Sequence, residues 1–207
     1  MDFARPIEAI VPGAQGRVLA VLAETTAELN LRTVARLAGV SQAQASRVLP
    51  GLVELGVVVR RELPPSSLFR LVPEHVASHA LLALARSTDT VLDDIARFSA
   101  SLPPPPASVI VFGSFARREA GTDSDIDLVV VRPADIDEDD EGWADSLEGW
   151  RGDIRRLTGN AVEVLEVSTA EAAAKAAGRS RLWADIRRDG RVVHGLGLDE
   201  LRIARSA

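Results

Sequence analysis

The chain has 207 residues, of which 46% are hydrophobic and 26% charged, an ordinary globular composition sufficient for two small domains of about 100 residues each. This composition excludes a disordered chain, and the absence of cysteine excludes disulfides and thiolate metal sites. The net charge of -6 lies wholly in the second half: residues 1–102 carry ten Arg against ten acids, and residues 103–207 carry fourteen basic residues against twenty acids. The opening residues Met1 to Pro6 lack the basic-then-apolar order of a signal peptide, and no apolar run approaches the roughly 18 residues of a membrane span. A soluble, cytoplasmic protein without membrane contact is the expectation.

In chain order, Gly16 to Glu28 places Val18, Leu19, Leu22 and Ala23 at helical spacing. Asn30 is an N-cap residue type, and Leu31 to Ala38 reads as a short helix closed by Gly39. After a tight turn, Ser41 caps a helix from Gln42 toward Leu55. Val48, Leu49, Leu52, Val53 and Leu55 form its apolar face, and Gln42, Gln44, Ser46 and Arg47 are polar. Helix, Gly-Val-Ser turn, helix is the shape of a helix-turn-helix. Pro50 removes one hydrogen bond from the second helix and crowds the preceding turn, so a kink or stop near Leu49 is expected. Val57 to Arg61 and Leu68 to Val72 flank Pro64-Pro65-Ser66-Ser67 and read as a β-hairpin with a basic rim, a wing. Between Leu31 and Arg70, six arginines (Arg32, Arg36, Arg47, Arg60, Arg61, Arg70) meet only Glu54 and Glu62, a local charge of +4 that the overall balance conceals. Local charge is what a nucleic acid meets.

Ala35 to Ser41 followed by Leu52 to Val58 resembles the bacterial winged helix-turn-helix regulators of the MarR-like kind, over residues 14–72. The resemblance implies DNA as a partner. It carries a recognition-helix role to Gln42, Gln44, Ser46 and Arg47, and a phosphate or minor-groove role to Arg60, Arg61 and Arg70. Such proteins commonly pair to match two half-sites, so a homodimer is expected. Winged helices also serve as protein-docking modules, the alternative for this segment.

From Pro73 to Leu102, the spacing of Val76, His79, Ala80, Ala83, Leu84, Val91, Ile95 and Phe98 predicts one long linking helix. Pro103 to Pro106 predicts a stiff extended spacer of roughly 12 Å. His75 and His79 are four apart, a geometry that can bind zinc, but have no third ligand nearby. The expected divisions are a DNA-binding domain over 1–72, a linking helix and Pro-rich linker over 73–106, and a second domain over 107–207.

Ser108 to Phe112 and Ile126 to Val131 are rich in β-branched residues and read as strands. Between them, Gly113-Ser114 is followed, ten residues on, by Asp125-Ile126-Asp127. Side chains alternate along a strand, so Asp125 and Asp127 project from one face and Ile126 and Leu128 point into the opposite, core face. Adjacent carboxylates repel unless a cation lies between them, and an all-oxygen donor set suits Mg²⁺ or Mn²⁺. Gly113 lets the backbone turn tightly beside a phosphate. Ser114 offers a hydroxyl and an N–H at the start of a helix expected over Phe115 to Glu119. A third acid is expected in the strand-like run Ala161 to Val167, where parity puts Glu163 and Glu166 on opposite faces. Glu163, central in the run, is favoured over Glu166 near its exit.

Gly113-Ser114 with Asp125-Ile126-Asp127 resembles the signature of the DNA polymerase β-like nucleotidyltransferase superfamily, and most nearly its minimal, MNT-type members. The resemblance spans roughly residues 107–195, with Arg187 to Gly195 similar to the family's closing strand. It implies a mixed β-sheet flanked by helices, and hence an α+β chain with a winged helix-turn-helix before it. It also implies transfer of a nucleoside monophosphate, from ATP or another nucleoside triphosphate, to a hydroxyl. Gly113 and Ser114 would hold the triphosphate, Arg117 would neutralise its charge, and Asp125, Asp127 and Glu163 would bind Mg²⁺ or Mn²⁺. Glu stands at the third position, where Asp is commoner in the family. MNT-type members resemble antitoxins that adenylylate a tyrosine of a HEPN-type toxin. This chain contains no tyrosine, so an acceptor in trans is expected, such as a HEPN-like toxin or another protein. The alternative is a transcription regulator whose nucleotidyltransferase domain only binds nucleotide. Trp143 and Trp150, seven apart on an expected helix, are read as core by default, and Asp135 to Glu141 as a solvated acidic loop.

Overall fold

Separate hydrophobic cores divide the chain into two units, one of Asp2 and Ala4–Ser87, the other of Met1, Phe3 and the residues from Thr88 onward. The structure, a computed structural model, describes residues 1–204; residues 205–207 of the expected second domain lie outside the described residues.

In the first unit the elements are α1 (Pro6–Ile10), α2 (Ala14–Ala23), β1 (Leu29–Asn30), α3 (Leu31–Leu37), α4 (Gln42–Glu54), β2 (Val58–Leu63), β3 (Ser66–Leu71) and α5 (Val76–Ala85). The Asn30 side chain accepts the Thr33 N–H at 2.9 Å, which starts α3. Gly39, at φ 61°, turns the chain toward α4. Ser41 Oγ then accepts the Gln44 N–H, while Gln44 Oε1 accepts the Ser41 N–H, a reciprocal capping box that opens α4. Val18, Leu19 and Leu22, Val34 and Ala35, and Ala45, Leu49 and Leu52 close onto Val58, Phe69 and Leu71 in one buried core. The three strands run in the order β1-β3-β2, all antiparallel. The two-residue β1 is too short to show alternation in sequence and exists through pairing of Leu29 with Phe69.

Three expectations for this region change. The α2 helix ends at Ala23 rather than Glu28. Helix α4 continues through Pro50 to Glu54 instead of stopping near Leu49. Pro50 and Ser46 are both exposed, so solvent can reach the Ser46 carbonyl that has lost its partner N–H. The expected long helix is two helices, α5 and α6 (Ser87–Ala100), with Arg86 at φ -96°, ψ 10° between them. Leu81, Leu82 and Leu84 pack on the core of the first unit, whereas Val91, Leu92 and Ile95 are buried in the core of the second, so the helix breaks where the core it serves changes. His75 caps α5, its Nδ1 accepting the Ala77 N–H at 3.1 Å, a local role for one member of the candidate zinc pair.

In the second unit α6 is followed by β4 (Ser108–Phe112), α7 (Gly113–Ala116), β5 (Ile126–Arg132), α8 (Glu141–Thr158), β6 (Val162–Ser168), α9 (Thr169–Ala177), α10 (Arg181–Asp189), β7 (Arg191–Gly195) and α11 (Leu198–Ala204). The sheet order is β6-β5-β4-β7, with β5 and β6 parallel and the other pairs antiparallel. It is therefore a mixed sheet flanked by helices, and the whole chain is α+β. One face buries Val109, Val111, Ile126, Leu128 and Val130 with Val91 and Ile95 of α6 and Trp143, Leu147, Trp150 and Ile154 of α8. The other buries Ile110, Val129, Val131 and Val167 with Ala172 and Ala176 of α9, Trp183 and Ile186 of α10, and Leu201 of α11. Strand β5 is covered on both faces, which explains its continuous apolar run.

Trp143 and Trp150 are thus core residues. Asp140, from the acidic loop, caps α8 by accepting the Trp143 N–H at 2.7 Å. The Pro103 to Pro106 run leads from α6 into β4 within this unit and bends at Pro103 and Pro104 in place of the expected extended spacer. Arg187 to Asp189 belong to the end of α10, so the closing strand starts only at Arg191. Among the described residues, no helix is long and apolar enough to cross a membrane.

Candidate active site and basic surface

Strand β4 delivers Phe112 and then Gly113, while β5 runs antiparallel beside it with Phe112 opposite Asp127. Strand β6, parallel to β5, places Glu163 opposite Asp127 in turn. Cross-strand partners share a face, so Asp127 and Glu163 project together, and Asp125, two residues earlier, joins them at the start of β5. Asp125 and Glu163 are exposed and Asp127 is half-buried.

Gly113 binds this cluster to the turn. It has φ 69°, and a Cβ added there would lie 2.2 Å from Asp127 Oδ2, so only glycine lets the backbone pass directly over the carboxylate. The turn that follows is shorter than expected: α7 covers Gly113–Ala116, not Phe115 to Glu119. It closes when the Glu119 N–H reaches the Ser114 carbonyl at 2.8 Å and the Arg118 N–H the Phe115 carbonyl at 3.0 Å, with Arg118 at φ 62°. Arg118 adopts this left-handed conformation without being glycine, and its guanidinium pairs with Asp89 of α6. Ser114 is half-buried in the same turn.

Burial first, then the Asp125 and Glu163 carboxylates, push the Asp127 carboxyl above its ordinary range, and Arg117 pulls the other way. Arg117 donates from Nε to Glu119 at 2.8 Å, and its Nη1 lies 3.5 Å from Asp189 at the end of α10. The three carboxylates form an all-oxygen donor set whose mutual repulsion a hard divalent cation would relieve, and in that chemical sense they fit Mg²⁺ or Mn²⁺. Among the described residues, no three His, Asp or Glu side chains are gathered closely enough to hold a metal by themselves. Glu166, the other candidate acid, lies opposite Val130 on the α8 side of the sheet. There its Oε1 accepts from Arg132 Nη1 and Trp143 Nε1, each at 2.8 Å.

In the first unit, Gln42, Gln44, Ser46 and Arg47 are all exposed on α4. Gln44 also serves the capping box, which ties its Oε1 to the Ser41 N–H. Arg60 pairs with Glu62 at 2.7 Å and Arg61 with Glu28, while Arg70 is half-buried on β3. Among the described residues Arg32, Arg36 and Arg47 form no ion pair. A groove of about 930 Å³ between α4 and the wing collects Arg32, Gln42, Ser46 and Arg60 over Pro50 and Phe69. Arg32, one of the six arginines of the basic segment, lines this groove from α3, a placement that no local pattern in the sequence records.

Residues 92–177 match the family model described as "Nucleotidyltransferase domain", and residues 16–62 match the one described as "IclR helix-turn-helix domain". No curated protein matches the chain significantly. Among solved structures, one described as "Crystal structure of the toxin-antitoxin with AMP-PNP" is 14% identical at a TM-score of 0.38, over 55% of this chain and 82% of that one. Residues 16–62 are thus similar to an IclR-type helix-turn-helix and residues 92–177 to a nucleotidyltransferase domain.

Proposed function

We propose that the second unit transfers a nucleoside monophosphate, AMP from ATP or its counterpart from another nucleoside triphosphate, to a hydroxyl, and that the first unit binds DNA. The placement of the Gly113 backbone against the Asp127 carboxylate supports this reading most directly, because it puts a phosphate-sized turn and an acidic cluster in one place. Gly113 and Ser114 hold the outgoing phosphates and Arg117 offsets part of their charge. Asp125 and Asp127 with Glu163 would hold Mg²⁺ or Mn²⁺, which would supply positive charge beside the transferring phosphoryl group. The acceptor oxygen bonds to the α-phosphorus as the bond to the bridging oxygen breaks; pyrophosphate leaves with the electron pair, and the hydroxyl proton passes to Glu163. The MNT-type likeness of residues 113–127 supports a protein acceptor, such as the tyrosine of a HEPN-like toxin. The absence of tyrosine from these 207 residues supports an acceptor in another molecule.

A second reading is a DNA-binding regulator that only senses nucleotide. It is favoured by the ungathered carboxylates and by the engagement of Arg117 with Glu119 and Asp189. Calorimetric titration with ATP, in Mg²⁺ and in EDTA, tests the common site: Mg²⁺-dependent binding is expected, and the double variant Asp125→Ala/Asp127→Ala abolishes it while keeping the fold. Equal binding by the variant would sink the site assignment. Pyrophosphate release in the presence of an acceptor separates transferase from sensor.

A further inference from the structure

We infer that Asn160 is a positioning residue for the aspartate pair, an inference that rests on the nucleotidyltransferase reading of the site. Asn160 is only 2% exposed and sits between α8 and β6, three residues before Glu163 and far in sequence from Gly113, Ser114 and the aspartate pair. Its Nδ2 donates to the carbonyls of Ser124 at 2.9 Å, Gly121 at 3.2 Å and Met1 at 3.3 Å, and its Oδ1 accepts from the Met1 nitrogen at 2.7 Å. The next residue, Ala161, accepts the Ile126 N–H at 2.8 Å. The peptide groups on both sides of Asp125 are therefore tied to residues 160–161: the Ser124 carbonyl before it and the Ile126 N–H after it.

Asp125 needs such an anchor. It is exposed, precedes the regular part of β5 and follows the turn Thr122-Asp123, so the sheet ladder alone does not hold it. The same turn is closed from inside, where Ser124 Oγ accepts the Gly121 N–H at 3.0 Å. Asn160 suits the task because its amide presents two N–H donors to a cluster of half-buried carbonyls, of which Gly121 also accepts the Ser124 N–H at 3.2 Å. An aspartate at 160 would place oxygens against those carbonyls. Orienting partners of metal-binding side chains characteristically control affinity without touching the metal.

The test uses the full chain with Asn160→Ala and, in case that variant fails to fold, Ser124→Ala, which loosens the same turn by removing the acceptor of the Gly121 N–H. Three quantities are read: the thermal midpoint in EDTA, amide exchange of residues 121–126 in the metal-free protein, and the Mn²⁺ concentration that half-saturates ATP binding. For a folded Asn160→Ala, faster exchange over 121–126 and a rise in required Mn²⁺ on the order of tenfold are expected. Ser124→Ala shifts both in the same direction by a smaller factor, with its midpoint unchanged. A folded Asn160→Ala with wild-type Mn²⁺ dependence overturns the positioning role and leaves the site reading intact. If Asn160→Ala does not fold, a Ser124→Ala variant with wild-type exchange and Mn²⁺ dependence overturns it equally. Absence of Mn²⁺-dependent ATP binding in the wild type instead overturns the site reading itself, and the role of Asn160 with it.

Discussion

In the wing of the first unit, Arg60 and Arg61 are each met by a carboxylate, Glu62 and Glu28, whereas at one end of the sheet in the second unit Asp125 and Glu163 each add negative charge beside Asp127, with Arg117 drawn partly aside by Glu119 and Asp189. The same formal charges thus serve opposite ends. A charge given a partner within the chain supports the fold, and one left facing its like marks where a ligand of opposite sign gains most. The two strand glutamates repeat the contrast three residues apart: Glu166 is committed to Arg132 and Trp143, and Glu163 is exposed beside Asp127.

The sharpest way to break that contrast is to exchange the fates of the two glutamates. Glu166→Ala leaves the Arg132 guanidinium, 9% exposed, and the Trp143 indole N–H without their partner. Chemical denaturation should register a loss of about 2–3 kcal/mol, with ATP binding retained in the folded fraction. Glu163→Gln should do the reverse, weakening Mg²⁺-dependent binding at unchanged stability. If both variants lose stability alike, the division between them is wrong.

For the basic surface, DNA titrations at several salt concentrations should rank the arginines by their ion pairing. Arg32→Ala and Arg47→Ala should each lower the salt slope by about one, since each removes one free cation. Arg61→Ala should change it less because Glu28 already compensates that charge. An equal loss at Arg61 would mean that DNA displaces Glu28.

The smallest expected effect concerns Asp127 in the absence of metal. Its folded pKa is raised, so the folded state holds this proton more tightly than the unfolded chain does. The resulting stabilisation is present below the ordinary carboxyl pKa of about 4 and is lost as pH rises through the folded value. Asp127→Asn should therefore raise the thermal midpoint in EDTA at neutral pH, with the gain disappearing in acid. A midpoint that does not move at neutral pH would show that Asp127 is already relieved of its neighbours' charge.

Local signals determined a good deal of this protein. The Asn30 and Ser41 caps, the β-branched runs of β4 and β5, the alternation that pairs Asp125 with Asp127, and the Gly113-Ser114 turn depend on neighbours a few residues apart, and each is present in the fold. Helices α9 to α11 went unread: α9 is an alanine-rich run whose burial depends on the far face of the sheet. The break at Arg86 was likewise out of reach, as was whether Pro50 interrupts the helix that the apolar spacing carries toward Leu55, because core allegiance and solvent access decide them and neither has a local period. Only the tertiary structure could place Glu163 beside Asp127, send Glu166 to Arg132 and Trp143, and bring Asn160 under the turn that carries Asp125. Strand register and long-range hydrogen bonds arise when residues tens of positions apart are brought together, and composition and spacing carry no record of that distance.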